Sequence, residues 1–78
     1  MGSRKTIERT TILKTVGRNI RAARIERGMS QEALALAAGL DRSYIGGVER
    51  GERNIAVVNL KRIACALSIP PSELLRSL

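Results

Sequence analysis

Gly28, Gly39, Gly51 and the pair Pro70-Pro71 interrupt the chain at short intervals, and every block between them carries apolar residues at helical spacing. In the first block Leu13, Val16, Ile20, Ala23 and Arg27 share one face, with Lys14, Arg18, Arg21 and Ile25 opposite, and Gly28 ends it. Residues 4–10 are polar and basic and read either as a loose arm or as an ordered first turn. Ser30 is placed to cap a second helix, with Gln31 and Glu32 in its first turn and Leu34, Ala35 and Ala38 as its apolar stripe, closed by Gly39. Asp41 is placed to cap a third, from Arg42 to about Arg50, with Ile45 and Val48 inward and Gly51 as its stop. A loop from Glu52 to Asn54 leads to a fourth helix over 57–67, whose buried side would be Val57, Leu60, Ile63, Ala64 and Leu67. Ala56, just before it, offers no side-chain cap, and Pro71 opens a short fifth helix. No block is strand-like, so the expected fold is all-α, a compact body of five helices.

A chain of 78 residues holds one domain, since two cores would need about twice that length. Met1–Ser3 is set aside as a remnant of expression, residues 1–12 are a basic N-terminal arm or first turn, and residues 13–78 form the domain. Tyr44 is the single aromatic residue, so the core is left to nine Leu, eight Ile, four Val and nine Ala, a mixture that suits closely packed helices better than sheets. With no histidine, one cysteine and scattered acids, a metal site or a histidine-activated nucleophile has no raw material. The chain therefore reads as a non-enzyme, with no cofactor and no small-molecule ligand. Cys65 cannot pair internally and lies next to the buried face of the fourth helix, where it reads as a packing residue. No apolar run approaches the roughly 18 residues of a membrane span and none resembles a signal peptide, so a cytoplasmic, nucleoid-associated protein is expected.

Fourteen Lys and Arg against seven Asp and Glu give a net charge of +7, which points to a polyanionic partner or an acidic membrane surface, and since the core needs the apolar face of the basic first helix, no membrane partner is expected. Residues 1–28 hold eight of the cations and two of the anions, so the first helix should feel that partner most. Within it, the run Lys14, Arg18 and Arg21 reads mainly as a solvated face. The final third poses a different problem: Ile55, Val57, Val58, Ile69, Leu74, Leu75 and Leu78 offer more apolar surface than so small a domain can hide, and a homodimer interface is the economical account.

Gln31 to Arg50 have the spacing of a helix-turn-helix, with small Ala35 at the helix crossing and Gly39 free to take positive φ in the turn. Leu34, Ala38, Leu40, Ile45 and Val48 would bury the inner face, leaving Arg42, Ser43, Tyr44, Gly46, Gly47 and Arg50 outward or sideways. Two mid-helix glycines cost about 1 kcal/mol each relative to alanine. Something in the fold has to compensate for them.

Through Arg24-Ile25-Glu26-Arg27-Gly28-Met29-Ser30-Gln31-Glu32-Ala33-Leu34-Ala35 and Tyr44-Ile45-Gly46-Gly47-Val48-Glu49-Arg50-Gly51 the chain resembles the lambda-repressor-like, Cro/C1-type (XRE) helix-turn-helix family. The run Leu40 to Arg50 is most similar to the controller proteins of restriction-modification systems. The resemblance implies a dimer on double-stranded DNA, with the third helix in the major groove of a palindromic operator. It implies base contacts from Arg42, Ser43 and Gly47, with Arg42 suited to guanine O6 and N7, and a polar side chain absent at Gly47 where relatives carry one. Backbone contacts are implied for Ser30 and Gln31 at the start of the second helix, and for Tyr44, Arg50, Arg53 and Asn54 on the other flank. Arg24 and Glu49 match a structural ion pair that leaves Arg24 donors for a phosphate. The controller likeness adds autoregulation and RNA polymerase as a further partner. An antitoxin or phage-type repressor is the alternative within the class, and a protein-interaction module on the same fold is the alternative outside it.

Overall fold

In the computed structural model, which describes the backbone of residues 2–78 and the side chains of residues 8–78, helix α1 spans Gly2–Glu26. Met1, and the side chains of the segment set aside as an expression remnant, lie outside the described residues. Residues 2–12 continue the helix toward the N-terminus, where the sequence pattern left an arm or a first turn open. Helices α2 (Gln31–Ala38), α3 (Arg42–Glu49), α4 (Val57–Leu67) and α5 (Pro71–Leu74) follow, and the described residues contain no strand. The radius of gyration, 12.2 Å, is close to the roughly 11.5 Å expected of a globular chain this long.

The core is the one the periodicity predicts: Val16 and Ile20 of α1, Leu34, Ala35 and Ala38 of α2, Ile45 and Val48 of α3, and Leu60, Ile63, Ala64 and Leu67 of α4. Leu74 joins them. It is fully buried because α5 packs against both α1 and α4, and Asn19 Nδ2 fastens that end of the chain by donating to the carbonyls of Leu74 (3.1 Å) and Arg76 (2.9 Å). Leu74 is thus a core residue and no part of a dimer face. Ile55 and Ile69 are likewise half-buried against the core. Val57 departs the other way: as the first residue of α4 it has no layer above it and is 80% exposed, so it does not belong to the buried side. Cys65 is exposed rather than packed, because it lies seven residues from Val58 on the outward face of α4.

The turn between α2 and α3 forms as the spacing requires. Gly39 takes φ 69°, and the Leu40 amide donates back to the Ala35 carbonyl at 2.9 Å. A second glycine, Gly17, sets how closely α1 and α3 cross. A Cβ there would meet the Val48 and Glu49 carbonyl oxygens, the latter at 2.6 Å, so only hydrogen fits.

Candidate nucleic-acid interface

Ser30 caps α2 as its position predicts, its hydroxyl oxygen accepting from the Ala33 amide at 3.0 Å. The amides of Gln31 and Glu32 remain outside the helical ladder at the positive end of the helix dipole, where an anion is favoured. Asp41 stands at the N-cap of α3 but makes no side-chain capping bond, a correction to its expected role.

Arg24 and Glu49 form a bidentate pair, with Nε donating to Oε2 at 2.7 Å and Nη2 to Oε1 at 2.9 Å, while Nη1 donates to the Met29 carbonyl at 2.9 Å. The carboxylate and guanidinium are nearly enclosed, 3% and 12% exposed as side chains. The hydrogen bond to Glu49 raises the Arg24 pKa, burial opposes it, and the carboxylate charge adds to the rise. Three guanidinium donors are therefore committed within the protein. Gln31 completes the cluster, its Nε2 donating to Glu49 Oε1 at 3.0 Å, a link that neither spacing nor residue type predicts.

Along α3, Arg42 and Ser43 are exposed, and Arg42 lies only 3.8 Å from Glu32 across the mouth of the turn. Tyr44 is half-buried against the core with its hydroxyl accepting from Asn59 Nδ2 at 3.2 Å, so it serves both as a filler and as a fixed platform beside the helix. Arg50 is exposed and donates to Glu52 at 3.0 Å. Arg53 and Asn54 are exposed on the loop that follows, Asn54 bordering a groove with Glu8, Arg9, Ile12 and Leu13 of α1.

The paired glycines contradict the expectation of an outward, open position. Both are buried, although they belong to the outer half of the helix, because long side chains from the next turn lie across them. A Cβ on Gly46 would be 3.1 Å from Arg50 Nη1 and 3.6 Å from Gln31 Oε1; one on Gly47 would be 2.8 Å from Arg53 Cγ. Gly47 thus has no open face from which to touch a base. The missing compensation for the two glycines is the close seating of Gln31, Arg50 and Arg53 on α3. Gln31, Arg50, Arg53 and Tyr44 are brought together around this helix, with Arg42 and Ser43 at its start.

This arrangement, a buried inner face on α3 and cations gathered on its outer face, defines a class that sequence comparison makes explicit. Residues 20–74 match the helix-turn-helix family HTH_3, and the chain belongs to that family, of XRE type. Among solved structures it is similar to the restriction-modification controller protein C.AhdI of Aeromonas hydrophila, with 53% identity, 80% of this chain and 94% of that one covered, and a TM-score of 0.79. It is 42% identical over 60 residues to the control protein C.BamHI of Bacillus amyloliquefaciens, covering 76% of this chain and 74% of the relative. A hypothetical transcription factor of Neisseria meningitidis serogroup B shares 46% identity over 57 residues, covering 73% of this chain, which spans about half (54%) of that relative's length.

Proposed function

We propose that this protein is a sequence-specific transcription regulator that binds a two-fold-symmetric DNA operator as a homodimer, in the role of a restriction-modification controller protein. The observation that carries the reading is the outer edge of α3: Arg42 and Ser43 stand clear of the body while Ile45 and Val48 anchor the opposite face in the core. A helix so mounted fits a major groove, where Arg42 donates to guanine O6 and N7. The α2 N-terminus with Ser30 and Gln31 meets one stretch of phosphates, and Arg50, Arg53 and Asn54 meet the next. With three donors already used, Arg24 acts mainly by holding Glu49 and α3 in place, and its phosphate contact is secondary.

Val57, Val58, Leu75 and Leu78 remain exposed at the α4–α5 end and are suited to the two-fold contact. The controller role is supported by the relatives named C.AhdI and C.BamHI. It implies autoregulation through operator occupancy, with contact to RNA polymerase when the dimer lies upstream of a promoter. Selection of bound fragments from a random duplex pool tests the reading. The selected motif should be two-fold symmetric with half-site centres about 34 Å apart. Failure to retain any duplex at low salt would favour a protein-interaction module instead.

A further inference from the structure

Successive residues of an α-helix turn by about 100°, so with Ile45 and Val48 inward the outer face of α3 centres on Ser43 and Arg50, with Gly46 and Gly47 flanking that line on either side. On the Gly47 side that outer face has no side chain of its own. Arg53 fills the space: a Cβ on Gly47 would lie 2.8 Å from its Cγ, 3.6 Å from Nε and 3.7 Å from Cδ. The Arg53 guanidinium carbon lies 5.9 Å from the centroid of the Tyr44 ring, and that ring is itself fixed by the core and by Asn59. Arg42 and Arg50 each have a carboxylate within 4 Å, whereas Arg53 makes no ion pair among the described residues. The loop arginine is thus stretched over the recognition helix, on a flat aromatic support, with its donors uncommitted among the described residues.

We infer that Arg53 is a specificity-determining residue, and that Gly47 is the seat that lets it be one: the loop guanidinium takes the place of the side chain α3 lacks and reads a base edge beside those facing Arg42 and Ser43. The inference rests on the DNA-binding reading and goes beyond the backbone contact assigned to Arg53. Guanine is the acceptor that suits a guanidinium presented along a groove. Seating on Gly47 and Tyr44 restrains a long side chain before binding, so less freedom is lost when the contact forms. A Cβ at position 47 would displace Arg53 at Cγ, near the root of the side chain, and therefore shift the whole guanidinium.

The test compares Gly47→Ala, Arg53→Ala, Arg53→Lys and the double variant Gly47→Ala/Arg53→Ala. For each, affinity is measured for the duplex selected by the wild-type protein and for a scrambled duplex, together with melting temperature. Arg53→Ala and Arg53→Lys should each reduce the preference for the selected duplex by at least about fivefold, the lower end of a base-contact contribution, and relax the motif at one position per half-site. Gly47→Ala should reduce it as well, while the double variant should fall no further than Arg53→Ala alone. Arg53→Ala lowering both affinities by the same factor would overturn the inference in favour of a phosphate contact, and so would an unchanged preference. An additive double variant, or a Gly47→Ala protein with wild-type preference, would overturn the seat. If Gly47→Ala melts early, the position-specific readout of Arg53→Ala alone decides. A wild-type protein without any duplex preference would instead sink the DNA-binding reading itself.

Discussion

At Arg42 the function comes down to one exposed guanidinium, and its removal separates reading from holding. Arg42→Ala should weaken binding to the selected duplex by about 1–3 kcal/mol while leaving scrambled duplex and melting temperature unchanged, because its only ion-pair partner among the described residues is an exposed Glu32 at 3.8 Å. Gel-shift titration of the two duplexes checks it, and equal losses on both would assign Arg42 to the backbone. Glu49 is the opposite case. Truncating it strands the Arg24 charge in a nearly closed site and deprives Gln31 of its acceptor, so Glu49→Ala should cost about 3–5 kcal/mol. At roughly 4–8 °C per kcal/mol for a domain of this size, thermal melting should fall by more than about 10 °C, and a drop under about 5 °C would contradict a structural role. Arg42 was legible in the sequence from its place after the cap, and the ion pair from the resemblance. The covering of Gly46 and Gly47 was not, because the residues that cover them come from α2 and from the turns after α3, and glycine leaves no side-chain pattern to follow.

Helix α2 was legible because a cap, a closing glycine and an apolar stripe agreed there, whereas α4, with no capping side chain at Ala56 and Ser68 at its end, was legible from its apolar stripe and the Pro70-Pro71 stop beyond it. The start of α1 was not, since residues 4–10 carry no apolar period and no start signal. Val57 was misplaced for a geometric reason: a helical wheel assigns a face but does not know that the first turn of α4 projects beyond its neighbours. The α1–α3 crossing at Gly17 escaped for a similar reason, as one glycine inside a helical block looks like a weakness and not a contact. There the balance of effects is informative. Alanine gains about 1 kcal/mol of helix propensity. Its Cβ, however, meets backbone carbonyls of α3 that cannot rotate away, and overpacking of this kind costs about 1–3 kcal/mol or more. Gly17→Ala should therefore lower the melting temperature, and a rise would show that α1 and α3 can separate without loss.

For the whole molecule, four of the exposed large apolar residues, Val57, Val58, Leu75 and Leu78, lie on α4 and after α5, while Ile12, Ile25 and Leu36 are exposed singly on α1 and α2. Val58→Glu touches no core residue and should leave the monomer folded. It should shift sedimentation equilibrium from dimer toward monomer and weaken operator binding at a given concentration; a dimer that survives would move the interface elsewhere. The sequence pattern groups Ile55, Ile69 and Leu74 with those four apolar residues, but Ile55 and Ile69 are half-buried against the core and Leu74 is fully buried where α5 folds back onto α1 and α4. With a net charge of +7, any duplex will attract this protein, so attraction alone proves little. The most direct measurement is the ratio of dissociation constants for selected and scrambled duplexes across a salt series. At physiological salt the selected duplex should bind at least about 1,000-fold more tightly, with both affinities falling linearly on a log-log plot. Equal affinities at every salt concentration would contradict the account.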